Sequence, residues 1–404
     1  MGIGRGCAAV AAGLLFVGMS ACSEGDDDGD GSASTATTTT TAAPPEQFTG
    51  SVDDFYRVPD PLPEGEPGQL IRTQDVESDG GSTTIRVMYH SQDASERDRA
   101  VTGIITYPTA PAPEGGWPVV SWAHGTTGVV SKCAPSRTGG AAPAFGVEGV
   151  AVATDYVGLG PVGEIHPYLS KPSEGNAVID AVRAARNLPE AHASTRWVAI
   201  GHSQGGHGAL AAAELAADHA SELDLIGTVA LAPGSDLDKT FGPADEVVAR
   251  VVGALALYSA PSEHPEIDPD DYAGPGLQAV AGMILEECLD AISIPLAAIP
   301  AEDFYAHDPV DTEPARSLVR ANDVGDVAVD APLLLVSGTA DTTVAIDRVR
   351  MLFGRLCDAG QVTELVVVDG ADHGNIIPRT EAQVTEWLTT RFADGTPPVD
   401  SCPP

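Results

Sequence analysis

Two hydrophobic periods alternate along most of this chain. Short apolar runs bounded by Gly, Pro, Asp or Ser fall at 70–77, 83–90, 101–107, 118–123 and 149–156. Their length and β-branched content predict strands. A helix is expected at about 174–187, a strand at 197–200, a second helix running to about 219, and a strand at 225–231. Early strands joined by tight turns, followed by strand and helix in alternation, predict an α/β fold: a mostly parallel sheet flanked by helices, with an antiparallel leading edge. The alternation stops at 233–331, where helix-like apolar runs at 247–258 and 277–289 flank a stretch dense in Pro, Asp and Glu. That excursion is too long for a simple connection and reads as an inserted, mainly helical cap. The pattern then resumes with a strand at 332–336, a helix near 344–356, a strand at 363–368 and a closing helix at about 381–392.

The N-terminal segment has neither period. Residues 1–21 carry one cation, Arg5, an apolar stretch at 7–17, and small residues before Cys22. That run is too short for a spanning helix and reads as a signal peptide. Met19-Ser20-Ala21-Cys22 resembles the lipobox of bacterial lipoproteins, which implies an acylated Cys22 at the outer face of the cell membrane. An ordinary signal cut nearby would leave the protein secreted, and export follows either way. Residues 23–47 hold no aromatic or large aliphatic side chain, so 22–47 is expected to be a disordered tether behind the anchor. The expected organisation is a core in two parts, 48–232 and 332–404, around the cap at 233–331.

Composition narrows the partners. A formal net charge of -37 leaves no basic patch to neutralise phosphates, so nucleic acid is excluded as a partner, and the acidity keeps an exported protein soluble. A monomer is expected. Beyond Cys22, the cysteines are Cys133, Cys288, Cys357 and Cys402, without metal-ligand spacing, and in an oxidising compartment they predict two disulfides. Three pairings are open; the favoured one is Cys133–Cys288 with Cys357–Cys402.

Candidate chemistry centres on 197–210, where a β-prone run meets Gly201-His202-Ser203-Gln204-Gly205 and then helix formers. A G-x-S-x-G turn between strand and helix is a nucleophile elbow, which holds a serine hydroxyl exposed beside a base and close to a developing oxyanion. Its partners should follow in the order acid, then histidine, each just past a late strand. His373 is the one histidine of ten that lies after the pattern resumes, directly beyond the strand at 363–368. Asp341 sits one strand earlier; Asp347, Asp369 and Asp372 are rival acids. The backbone N–H of Gln204 is the expected oxyanion donor, joined by that of Thr126, where Gly125 lets the chain turn after the strand at 118–123. Gly158-Leu159-Gly160-Pro161-Val162-Gly163 matches G-x-G-x-x-G, but Pro161, Pro167 and Pro172 deny it the helix a dinucleotide site requires. The chemistry needs no metal and no cofactor.

Several separated motifs share a resemblance: Trp122-Ala123-His124-Gly125-Thr126-Thr127-Gly128 with Cys133-Ala134-Pro135, Asp155-Tyr156-Val157-Gly158-Leu159-Gly160 with His166-Pro167-Tyr168-Leu169, and the elbow. Together they resemble the secretory lipases of fungi and actinobacteria, over about 48–392. The resemblance implies an α/β-hydrolase fold with a helical lid, and hydrolysis of triacylglycerols or related carboxylic esters by Ser203, Asp341 and His373. It also implies that Asp155 and Tyr156 shape or brace the pocket, beside His124, Gly125, Gly201, His202 and Gly205. Rival readings are a carboxylesterase or polyester hydrolase, an acyltransferase acting on short-chain esters, and a non-catalytic surface lipoprotein that binds lipid on a hydrolase scaffold.

Overall fold

The structure is a computed structural model that describes residues 44–404 apart from 77, 79, 141, 144, 242–245, 394 and 404. The expected signal peptide, Cys22 and the tether as far as residue 43 lie outside the described residues.

A short strand β1 (Glu46–Gln47) and helix α1 (Val52–Phe55) lead into β2 (Leu70–Val76), β3 (Ser82–Gln92) and β4 (Asp98–Pro108). Next come β5 (Trp117–Ala123), β6 (Val150–Thr154), α2 (Lys171–Arg186), β7 (Ala193–His202), α3 (Gln204–His219) and β8 (Asp224–Leu231). Helices α4 (Leu237–Phe241), α5 (Val247–Ser259), α6 (Pro275–Gln278), α7 (Ala281–Ile284), α8 (Leu289–Ala297) and α9 (Ala315–Ala321) follow. The chain closes with β9 (Leu333–Gly338), α10 (Ile346–Asp358), β10 (Thr363–Val368) and α11 (Ile376–Phe392). Among the described residues the strands form one sheet in the order β1-β2-β3-β4-β6-β5-β7-β8-β9-β10. Pairing is antiparallel from β2 through β4 to β6 and parallel from β6 to β10.

The central strands are buried on both faces, which is why they read as continuous apolar runs. Ala199 faces α2 and α3, whereas its neighbours Val198 and Ile200 face α11. In β9, Leu333 and Leu335 pack with Val349, Leu352 and Leu356 of α10, and Leu334 and Val336 pack with Val384 and Leu388 of α11. Period-two alternation thus divides one strand between two cores. A further apolar cluster joins α4, α5 and the segments up to α9 with Tyr168, Leu169 and Cys133.

Four local expectations are corrected. Glu46 and Gln47, expected in the tether, pair in parallel with Arg72 and Thr73 of β2. The single helix expected at 277–289 is broken into α6, α7 and the start of α8. Cys288 takes an extended backbone (φ -87°, ψ 166°) there, with its sulfur bonded to Cys133 and the Leu289 N–H donating to Thr127 O at 2.9 Å. Tertiary bonding overrides local propensity at that point. The closing helix begins at Ile376 rather than near 381, because Pro378 stands in its first turn, where a missing N–H leaves no helical bond unmade. Finally, the strand expected at 149–156 ends at Thr154, and Asp155 and Tyr156 belong to the turn beyond it. The structure joins Cys133 to Cys288 and Cys357 to Cys402.

Candidate active site

Ser203 lies where β7 gives way to α3, with φ 58° and ψ -120°. This left-handed backbone is strained for a non-glycine residue. The turn is as tight as sterics allow. A Cβ on Gly201 would fall 1.8 Å from Gly205 O, and one on Gly205 would fall 1.9 Å from Ala123 O, so both positions require glycine. The strain holds the hydroxyl clear of the helix, and Ser203 N–H is anchored to Leu231 O at 3.0 Å.

Two loops at the C-terminal ends of β9 and β10 bring the partners to it. Ala340 N donates to Ala371 O at 2.9 Å and Gly370 N to Thr339 Oγ1 at 2.8 Å, which laces the loops together. Asp341, 6% exposed, uses both oxygens. Oδ1 accepts from the Thr343 and Val344 N–H groups at 2.8 Å, and Oδ2 accepts from His373 Nδ1 at 2.8 Å. His373 Nε2 lies 2.9 Å from Ser203 Oγ. With Nδ1–H given to the carboxylate, Nε2 is the acceptor for the serine proton. Burial would raise the Asp341 carboxyl, but the bond from His373, its charge and the two N–H groups together hold it below the ordinary value. Asp341 is therefore an anion beside the His373 ring. The rival acids are engaged elsewhere. Asp347 pairs with Arg350, Asp369 accepts from Thr339, and Asp372 caps Gly374 and Asn375.

The other candidates divide between the turn after β5 and the residues that brace it. Gln204 is the first residue of α3, so its N–H has no acceptor within the helix. A Cβ on Gly125 would lie 3.7 Å from Ser203 Cβ, which places the 124–126 turn against Ser203. Thr126 Oγ1 hydrogen-bonds Tyr168 Oη at 2.7 Å. His124 donates Nδ1–H to Gly125 O at 2.7 Å, and burial pulls its ring down to about 4, so it is neutral. Tyr156, fully buried at φ 70°, donates its hydroxyl to His124 O at 2.8 Å and braces the turn from behind. Asp155 braces further out, accepting from Thr102 Oγ1 at 2.5 Å, Ser136 N at 3.0 Å and the Ser136 hydroxyl. The His202 ring centroid lies 4.5 Å from that of His373, and burial with that neighbour holds His202 down to about 4.

Reading the sequence missed a buried polar cluster behind the elbow. Glu174, His166 and His207 are each fully enclosed, and each bonds to Gln204 or to its neighbours. The usable signal was a carboxylate and an imidazole among the small and apolar residues of α2 and α3. A small cavity of about 30 Å³ opens at Ser203, lined also by Tyr168, Leu169, Val248, Val252 and Val344. A second, of about 60 Å³, lies among residues such as Phe241, Leu257 and Val319, and shares Tyr168 and Leu169 with the first.

Comparison with known proteins places this arrangement. The structure superposes on Candida antarctica lipase A with a TM-score of 0.73 at 17% identity, covering 88% of this chain and 89% of that one. It superposes on a rice cell wall degrading esterase, LipA from Xanthomonas oryzae, with a TM-score of 0.67 at 19% identity, covering 81% of this chain and 100% of that one. The shared architecture is the α/β-hydrolase fold. A sequence relative, a probable inactive lipase of Mycobacterium tuberculosis, is 24% identical over 377 residues, covering 85% of this chain and 82% of the relative. The secretory lipase model matches residues 146–401, a span that holds the elbow and both loops meeting there, and the chain belongs to that family.

Proposed function

We propose that this protein is an exported serine lipase that hydrolyses triacylglycerols or related carboxylic esters. The observation that carries the reading is the unbroken run from Asp341 Oδ2 through the His373 ring to Ser203 Oγ, with contacts of 2.8 and 2.9 Å. In this reading His373 takes the hydroxyl proton as Ser203 attacks the ester carbonyl. The N–H groups of Gln204 and Thr126 hold the oxyanion, and Asp341 stabilises the imidazolium. His373 then protonates the leaving alkoxide. Water, activated by the same ring, hydrolyses the acyl-enzyme. The apolar lining around Ser203 supports an ester of an apolar acid as the substrate, and the helices at 233–331 are read as the lid over it. The two disulfides fit an extracellular protein.

The name of the mycobacterial relative, a probable inactive lipase, favours a second reading without turnover, in which we take this chain to bind lipid on a hydrolase scaffold. One experiment separates them: hydrolysis of p-nitrophenyl esters from acetyl to palmitoyl, with fluorophosphonate labelling, by the full chain and by Ser203→Ala. Labelling and hydrolysis that vanish in the variant support the serine mechanism. A long-chain optimum supports lipase over short-chain esterase or acyltransferase. A wild type that neither labels nor turns over on any ester sinks the proposal and leaves the binding reading.

A further inference from the structure

The buried carboxylate of Glu174 takes no part in the proton transfers just described. It stands in the first turn of α2 with no exposed surface. Its Oε1 accepts from Gln204 Nε2 at 2.7 Å and from Leu169 N at 3.0 Å, and its Oε2 accepts from His207 Nδ1 at 2.7 Å. The other amide hydrogen of Gln204 goes to His166 Nε2 at 2.7 Å. That nitrogen is free to accept because His166 gives its Nδ1–H to Val157 O at 2.9 Å. Both hydrogens of the Gln204 amide are therefore committed, one to the His166 ring and one to a carboxylate, and His166 Nε2 itself lies 3.5 Å from Glu174 Oε1.

Glu174 is itself held in place. His207 Nε2 donates to Asn322 O at 2.8 Å, so the ring has an acceptor on each side. With a carboxylate on one side and a carbonyl on the other, the imidazole carries both protons. The result is an enclosed carboxylate–imidazolium pair one helical turn beyond Ser203. Buried pairs of this kind add little stability over an apolar pair of the same shape. What this one does is orient a neighbour. The first N–H groups of a helix have no intrahelical bond to fix them, and Gln204 begins α3. Clamping its side chain at two points fixes the residue where the helix cannot.

We infer that Glu174, held by His207, is a positioning residue for the Gln204 N–H as oxyanion donor. The inference rests on the reading of Ser203 and Gln204 proposed above. Complete loss of one oxyanion donor lowers kcat by about 10²–10³, and misplacing rather than deleting it should lower kcat by about 10- to 100-fold.

The test is a double-mutant cycle on kcat, with p-nitrophenyl butyrate as substrate and competent sites counted by fluorophosphonate titration. Glu174→Met removes the clamp from one end and Gln204→Met from the other. Each should lower kcat per site by about 10- to 100-fold with KM within about threefold, and the double variant should be no worse than either single one. Glu174→Gln keeps an oxygen for Gln204 and offers His207 an N–H, so it should stay within about threefold of wild type. Effects that multiply in the double variant, or an unchanged kcat in Glu174→Met, overturn the inference. If Glu174→Met does not fold, Gln204→Met decides, and a wild-type kcat there overturns it. A wild type inert on the ester sinks the serine mechanism and the inference together. An active wild type with an unaffected Glu174→Met sinks the inference alone.

Discussion

Opening the Cys133–Cys288 bond should change stability and turnover together, whereas opening Cys357–Cys402 should change stability only. The first bond spans 155 residues and the second 45. In the chain-entropy account, closing loops of these lengths restrains the unfolded state by about 5 and about 4 kcal/mol at 25 °C. The difference is the firmer quantity, because the constant cancels: 1.5RT ln(155/45) is about 1.1 kcal/mol. The catalytic consequence comes from location. A Cβ on Gly128 would fall 2.8 Å from Cys133 Sγ, and Leu289 N–H donates to Thr127 O, so the first bond pins the segment next to Thr126. The second ties α10 to a tail whose Ser401 N–H donates to Thr363 O of β10, on the outer edge of the sheet. The assay compares Cys133→Ala/Cys288→Ala with Cys357→Ala/Cys402→Ala, by guanidinium unfolding followed through tryptophan fluorescence and by kcat on p-nitrophenyl butyrate. The first pair should lose about 1 kcal/mol more than the second, and it alone should lower kcat, by several-fold. Equal or reversed stability losses would refute the loop-entropy reasoning. An unchanged kcat in the first pair would refute the claim that this bond holds the oxyanion turn.

Asp341→Asn should lower kcat by about 10⁴-fold with little change in KM, because the amide no longer favours the imidazolium or its working tautomer; a loss below tenfold would remove Asp341 from the mechanism. Gly205→Ala places a methyl 1.9 Å from Ala123 O and should reduce folded yield and thermal stability sharply, which a melt within a degree of wild type would contradict. Tyr156→Phe removes the bond to His124 O and should lower stability by about 1 kcal/mol and kcat several-fold at constant KM. Asp155 gives a pH test. Burial raises its carboxyl from 3.8 to about 6, so the folded chain holds this proton more tightly than the unfolded one. Its charge then destabilises the fold above pH 6, by at most about 3 kcal/mol, and that penalty fades as pH falls from 6 towards 4. Asp155→Asn should melt higher than wild type at pH 8, keep about half of that advantage at pH 5 and lose most of it by pH 4; a gap independent of pH would refute the assignment.

Most of the sheet was legible because its signals are local. Runs such as 198–200 and 333–336 are apolar at every position, and a strand covered on both faces reads that way before any partner is known. The elbow was legible for the same reason: two glycines flanking a serine describe a turn that no other residues can make. Asp341 and His373 followed from order along the chain, since each lies just past a late strand. The unread parts depend on segments meeting. The break before α8 is imposed by Cys133 and Thr127, more than a hundred residues earlier, so no pattern local to it could show it. Glu46 and Gln47 are polar and unremarkable until β2 offers them an edge.

The amino-acid order by itself determined the strand and helix alternation, the strained turn at Ser203 and the succession of Ser, Asp and His, because periodicity, glycine sterics and strand ends act within a few residues. Only the tertiary structure decided that Glu174, His207, His166 and Gln204 form one enclosed cluster reaching Asn322. A buried charge is tolerable only where donors converge on it; here the charge sits on α2, its donors come from α3 and the loop at 166–169, and the carbonyl that holds His207 comes from the end of α9, which no local pattern brings together.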